Sequence, residues 1–148
     1  MTSIQAVAIL PGVAKGMILA ADTPLSFWGG YDPTTGEIID CRHPLAGHNA
    51  SGRILVLPSG RGSCSGSGVL LEAIRTGTAP AAIITSLIDP IIGLGAILGD
   101  EMYATYPVML MVGDAVRSQL RTGDWLSVSE EGRLTIAARE CKARIAST

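Results

Sequence analysis

Short apolar runs bounded by glycine and proline dominate the chain, with three short helical stretches between them. Gln5–Leu10 is an apolar run closed by Pro11-Gly12, which predicts a strand and a turn. Gly16–Ala21 predicts a second strand. Thr23–Gly30, with Pro24 and Gly29-Gly30, predicts a loop. Tyr31–Gly36 (Y-D-P-T-T-G) is a turn sequence, because Pro33 presets φ and Gly36 permits left-handed geometry. Glu37–Asp40 is a candidate short strand, and Cys41–Ser51 is polar and irregular. The pattern then sharpens. Arg53–Leu57 predicts a buried strand between Gly52 and Pro58, and Ser59–Gly68 (S-G-R-G-S-C-S-G-S-G) a glycine–serine loop. Val69–Arg75 has helical spacing, with Leu70, Leu71 and Ile74 on one face and Gly77 as its stop. Ala81–Thr85 predicts a strand, Pro90–Leu98 a short helix with proline near its start, and Pro107–Val112 another strand. Asp114–Leu120 predicts a helix, Thr122-Gly123-Asp124 a turn, and Trp125–Val128 with Arg133–Ile136 a hairpin around Glu130–Gly132. The last dozen residues form a polar tail. Strand–helix–strand–helix–strand, flanked at both ends by strands without helices, predicts an α/β domain with a parallel core sheet and an added β layer.

Composition narrows the function classes. A length of 148 residues predicts one domain spanning 1–148. With 47% apolar and 16% charged residues, the chain has enough hydrophobic material for a packed core. Net charge is −2 and the two Lys and nine Arg form no stripe, which argues against a nucleic-acid footprint. Mean hydropathy is high, +0.38, yet no apolar run reaches membrane-span length; Ile83–Leu98 comes nearest and Asp89, Pro90 and two glycines interrupt it. Met1–Gln5 lacks the basic start of a leader peptide, so a cytoplasmic, non-membrane protein is expected. So apolar a chain with so little polar surface suggests that a partner covers part of its exterior.

Three cysteines, Cys41, Cys64 and Cys141, without any C-x-x-C spacing, argue against a disulfide framework or a complete metal site in this chain. Chemistry is expected instead in Ser59–Gly68. Strand, glycine-rich loop and helix together point backbone N–H groups and a helix dipole at an anion. The loop is neither G-x-G-x-x-G nor a Walker loop, and G-x-S-x-G is absent. Ser63, Ser65 and Ser67 lie near the helix start with Arg61 beside them, a setting for a carboxylate or phosphate. An ordinary helix N-cap by Ser65 or Ser67 is the plainer alternative. His43 and His48 are expected to be structural, His43 bonding a turn and His48 exposed. Asp89 either caps the following helix or lines the site. Trp28, Tyr31, Tyr103 and Tyr106 suit packing or an interface, and Gly93 and Gly95 a close helix or subunit approach.

The loop, Gly62-Ser63-Cys64-Ser65-Gly66 after an I-L-V-x-P strand, resembles the active-site serine loop in the swivelling domain of aconitase-type dehydratases. The resemblance is stronger to the small subunit of aconitase X. It runs through G-R-I-L-V-L-P-S-G-R-G-S-C-S-G-S at Gly52–Ser67, G-T-A-P-A-A-I-I at Gly77–Ile84 and D-P-I-I-G-L-G-A-I-L at Asp89–Leu98, with H-P-L-A-G at His43–Gly47 and T-G-D-x-L-x-V at Thr122–Val128. It implies a swivelling β/β/α fold and a larger partner subunit that holds an iron–sulfur cluster, no cofactor being bound by this chain. It also implies dehydration of a small hydroxy acid, cis-3-hydroxy-L-proline to pyrroline-2-carboxylate in one branch and mevalonate 5-phosphate in another. The preponderance of Arg over Lys favours the first. Ser63 matches the family's serine and would be the general base, taking the proton at carbon 2 as the 3-hydroxyl departs. Arg61, Gly62, Cys64 and Ser65 would contact substrate. Aconitase carries an arginine two places after its serine, and Ser65 stands there instead, so carboxylate binding would pass to backbone N–H groups, Arg61 or the partner. A rival of another class is a non-enzymatic swivelling phosphocarrier that uses His43.

Overall fold

A computed structural model describes residues 2–60, 65–87 and 89–137. Eight strands run in the order β1-β8-β7-β3-β4-β5-β6-β2. They are β1 (Thr2–Gln5), β2 (Val7–Leu10), β3 (Ala14–Ala20), β4 (Ile54–Leu57), β5 (Ala82–Thr85), β6 (Val108–Met111), β7 (Trp125–Val128) and β8 (Arg133–Ala137). Two helices of full length, α2 (Ser65–Thr76) and α3 (Pro90–Tyr103), accompany the single turns α1 (Phe27–Gly30) and α4 (Asp114–Arg117).

The strand that organises the rest is β4. All four of its residues are fully buried, so both of its faces need a cover. Ile54 and Val56 face one core with Ala82, Ile84, Val108 and Leu110 of its parallel neighbours and Leu126, Val128 and Leu134 of the β7–β8 hairpin. Leu55 and Leu57 face the other, with Ile83, Met109 and the α2 and α3 residues Leu70, Ala73, Ile74, Ile92 and Ala96. The result is a β/β/α stack, in agreement with the sequence. The chain advances through β3, β4, β5 and β6 in one direction with parallel pairing throughout, and α2 and α3 pack on the same face.

Two corner segments join the β layers. Ala14–Met17 of β3 pairs antiparallel with β7, and Ile18–Ala20 pairs parallel with β4. The second corner corrects the sequence reading. Gln5–Leu10 is not one strand: β1 pairs with β8, β2 pairs with β6, and only Ala6 separates them. Ala6 is buried and donates its N–H to the Gly132 carbonyl at 2.9 Å, so the chain turns from one layer to the other without interrupting its apolar run. Local hydrophobicity cannot report such a corner, because both halves are strand-like.

Other boundaries also moved. Glu37–Asp40 forms isolated bridges, Tyr31 with Ile38 and Glu37 with Asn49, rather than a strand. The helix expected over Pro90–Leu98 continues to Tyr103 and ends on Ala104 in the left-handed region, φ 56°. Asp114–Leu120 is helical only over Asp114–Arg117. The polar tail, with Cys141, lies outside the described residues. Among the described residues no helix is long and apolar enough to cross a membrane.

The two helices approach closely where glycine allows it. A Cβ on Gly95 would lie 2.8 Å from the Ser67 carbonyl oxygen and 3.2 Å from Leu70 Cβ. At Gly93 it would meet nothing within 4 Å. The expected close helix approach therefore holds at Gly95, while Gly93 meets no neighbouring helix of this chain. Gly95→Ala should destabilise the chain by ~1–3 kcal/mol through overpacking, whereas Gly93→Ala should stabilise it by ~0.5–1 kcal/mol through helix propensity. Urea unfolding of the two variants checks the opposite signs.

Candidate active site

The parallel strands end together on one edge of the sheet. Ala20-Ala21-Asp22 leaves β3, Pro58-Ser59-Gly60 leaves β4, Ser86-Leu87 leaves β5, and Val112-Gly113-Asp114 leaves β6. Open α/β sheets hold ligands on this edge. The glycine–serine loop starts here and runs into α2. Arg61, Gly62, Ser63 and Cys64 lie outside the described residues; Gly60 and Ser65, on either side of them, lie within.

The root of the loop is held on three sides. Gly60 forms a parallel bridge with Leu25, which brings the Leu25–Trp28 segment alongside. The Pro58 carbonyl accepts from the N–H groups of Ser86 at 3.0 Å and Leu87 at 3.2 Å. On the third side stands Asp89. Its Oδ1 accepts from the N–H of Ile91 at 2.9 Å and of Ile92 at 3.3 Å, and so caps α3 as the sequence suggested. Its Oδ2 faces Gly60 so closely that a Cβ there would lie 1.8 Å away. Asp89 thus caps the helix, the first of the two roles expected for it, and packs against Gly60 at the root of the loop.

On the far side of the loop the sequence reading needs correction. Ser65 and Ser67 do not precede the helix; they are residues of it, Ser65 exposed and Ser67 buried. The Ser67 hydroxyl donates to the Ile91 carbonyl at 2.6 Å, a tie between α2 and α3 rather than a cap. A Cβ on Gly66 would rest 3.5 Å from Ile91 and 3.7 Å from Phe27. Small residues here buy close helix packing, which the composition alone made look like loop. The first-turn N–H groups of α2 and its positive dipole end lie at Ser65, where the described helix begins.

The segment beside the loop has its own anchor. Tyr31 stacks on Phe27, ring centroids 5.0 Å apart, and its hydroxyl donates to the Thr78 carbonyl at 2.6 Å. Burial pushes the Tyr31 phenol well above its ordinary pKa. Trp28, 61% exposed, stands next to the first turn of α2.

His43 is buried, and both ring nitrogens are engaged. Nδ1 accepts the Leu45 N–H at 3.1 Å, so the proton sits on Nε2, which lies 2.9 Å from the Thr23 carbonyl. His43 holds a turn, as expected, and His48 is exposed. Among the described residues no group of three or more His, Cys, Asp or Glu could hold a metal ion.

Sequence reasoning passed over one cluster on this edge. The Arg117 side chain is only 13% exposed; its Nε donates to Ser86 Oγ at 2.9 Å and its Nη1 to Asp22 Oδ1 at 2.9 Å. The Ser86 hydroxyl and the Arg117 guanidinium hold Asp114 below its ordinary carboxylate pKa. The Asp114–Arg117 spacing, one helical turn, was the signal available in the sequence.

A substitution pair tests the Gly60–Asp89 contact. Asp89→Ala should cost ~0.5–2 kcal/mol as a lost cap, and Gly60→Ala about 1–3 kcal/mol by displacing the carboxylate. The double variant should lose less than the sum, because alanine at 89 vacates the space. Strict additivity in urea unfolding would contradict the contact.

Comparison with known proteins places the chain. Residues 3–136 match the aconitase X swivel domain. A cis-3-hydroxy-L-proline dehydratase of Pseudomonas aeruginosa is 44% identical over 128 residues, which is 86% of this chain and 22% of that protein. The small subunit of phosphomevalonate dehydratase from Methanopyrus kandleri is 41% identical over 119 residues, 80% of this chain and 84% of the relative. The crystal structure of Thermococcus kodakaraensis aconitase X superposes with a TM-score of 0.82 at 33% identity, covering 93% of this chain and 100% of that one. The chain spans about a fifth of the length of the Pseudomonas aeruginosa dehydratase and of one from Hypocrea jecorina, 22% and 18%. With its β/β/α stack and its serine loop at the carboxyl edge of a parallel sheet, the chain belongs to the aconitase X swivel domain family.

Proposed function

We propose that this chain, taken as one domain over 1–148, is the swivelling part of an aconitase X-type hydro-lyase that dehydrates cis-3-hydroxy-L-proline to pyrroline-2-carboxylate in the cytoplasm. The observation that carries this reading is the 44% identity over 128 residues with a dehydratase of that substrate. A larger partner subunit completes the site. In this reading the iron–sulfur cluster that the resemblance implies is held by that partner, in keeping with the absence of any C-x-x-C spacing in this chain.

Ser63 is the general base in this reading. Its hydroxyl, as alkoxide, takes the proton from carbon 2 while the 3-hydroxyl leaves, and the product enamine tautomerises to the cyclic imine. A serine is protonated at neutral pH and needs help to act so. The N–H groups and dipole at the start of α2, with the Arg61 guanidinium, favour the alkoxide and the substrate carboxylate alike. Gly62, Cys64 and Ser65 contact the substrate in the same reading.

A second reading keeps the chemistry and changes the substrate to mevalonate 5-phosphate. The 41% identity with the Methanopyrus kandleri subunit favours it, and a helix N-terminus suits a phosphate as well as a carboxylate. The phosphocarrier reading lacks a nucleophile: His43 has its free lone pair buried against the Leu45 N–H.

Co-expression with a large aconitase X subunit tests the proposal on both substrates. The complex should turn over, and the purified small chain should be folded, iron-free and inactive. Within the complex, Ser63→Ala should lower kcat by ~10²–10⁴ with assembly intact; Ser65→Ala should act mainly on KM. Near-wild-type kcat for Ser63→Ala with loss for Ser65→Ala would shift the base by two residues. Turnover by the small chain alone would overturn the assignment.

A further inference from the structure

We propose that Arg117 is a positioning residue for the serine loop, acting through Ser86 on the root of that loop; the inference rests on the dehydratase reading above. The Arg117 guanidinium is withdrawn from water, although the head group of a surface arginine is ordinarily solvated. Its Nε donates to Ser86 Oγ at 2.9 Å. The Ser86 and Leu87 N–H groups in turn donate to the Pro58 carbonyl, at 3.0 and 3.2 Å. Pro58 is the first residue beyond β4, five positions before Ser63. Two hydrogen-bonded steps therefore connect the guanidinium to the point where the loop leaves the sheet.

The same group reaches the neighbouring strand exits. Nη1 donates to the Ala21 carbonyl at 3.4 Å and to Asp22 Oδ1 at 2.9 Å, and Nη2 to Asp114 Oδ1 at 3.4 Å. The exits of β3 and β5, and the turn after β6, are thus fixed relative to one another by a single rigid, planar fork. Lysine, with one compact ammonium, cannot span the set. The two carboxylates are 91% and 81% exposed, so their ion pairs contribute little by themselves. What singles out Arg117 is its hold on Ser86 beneath the loop. Arg117 acts on the loop through Ser86 and Pro58, so its loss is read in kcat rather than in KM.

The test uses the co-expressed complex with Arg117→Gln, Arg117→Lys, Ser86→Ala, the Arg117→Gln/Ser86→Ala double variant, and Asp22→Asn and Asp114→Asn. Arg117→Gln and Ser86→Ala should each lower kcat by roughly 10–100-fold with KM within about threefold, the scale expected of a misplaced catalytic group. Arg117→Lys should recover only part of this. The double variant should be no worse than the poorer single one, because both act along one path. Asp22→Asn and Asp114→Asn should stay within about twofold of wild type. Amide hydrogen exchange over residues 59–68 provides a readout independent of turnover. It should accelerate about tenfold in Arg117→Gln and Ser86→Ala, with β7–β8 unchanged. Wild-type kcat in Arg117→Gln, additive losses in the double variant, a rise in KM alone, or unchanged exchange over 59–68 would each overturn the proposal. If Arg117→Gln does not assemble, Ser86→Ala, which removes only a hydroxyl, carries the same comparison. A wild-type complex inactive on both substrates would refute the dehydratase reading, and the exchange measurement would still decide whether Arg117 holds the loop.

Discussion

A strand with no exposed face cannot be finished by one layer. Ile54–Leu57 is buried on both sides, and truncating any of its large side chains to alanine would cost about 2–5 kcal/mol. The helices must therefore cover one face and the β7–β8 hairpin with its corner strands the other. This double cover also determines where chemistry can happen. Both faces of the parallel sheet are sealed, so the carboxyl edge is where its strand exits, a helix N-terminus and a glycine-rich loop meet.

The placement of the loop depends on how closely α2 and α3 pack. Gly95 lets the Ser67 carbonyl approach, the Ser67 hydroxyl bonds the Ile91 carbonyl, and Gly66 nestles against Ile91 and Phe27. The first turns of the two helices are thereby brought side by side. Asp89, which caps one of them, ends up against Gly60 at the start of the loop that feeds the other. One small-residue contact thus links helix packing, loop entry and helix capping. The serine-rich stretch accordingly gives Gly66 and Ser67 to packing, and the proposed chemistry falls to the residues before them.

Much of this was legible in the sequence. Continuous apolar runs at β4, β5 and β6 marked buried parallel strands, and the G-x-G-S-C-S pattern marked the loop at the end of the first. Asp89-Pro90 announced its helix correctly. What could not be read was set by distant partners. Ala6 turns a seemingly single strand between two layers only because Gly132 waits there to accept its N–H. Ser65–Gly68 looked like loop because helix propensity disfavours glycine, and the α3 surface that overrides it is some 25 residues away. Arg117 looked like a surface charge until the strand exits were placed around it.

The central claim is that this chain delivers Ser63 to a substrate held mainly by a partner. The most direct measurement is the structure of the complex of this chain and a large aconitase X subunit, with an unreactive analogue of cis-3-hydroxy-L-proline bound. The account predicts Ser63 Oγ at ~3–3.5 Å from carbon 2, the separation of a near-attack geometry, with the start of α2 directed at the carboxylate. A different side chain at that distance from carbon 2, with Ser63 turned away from the analogue, would contradict it.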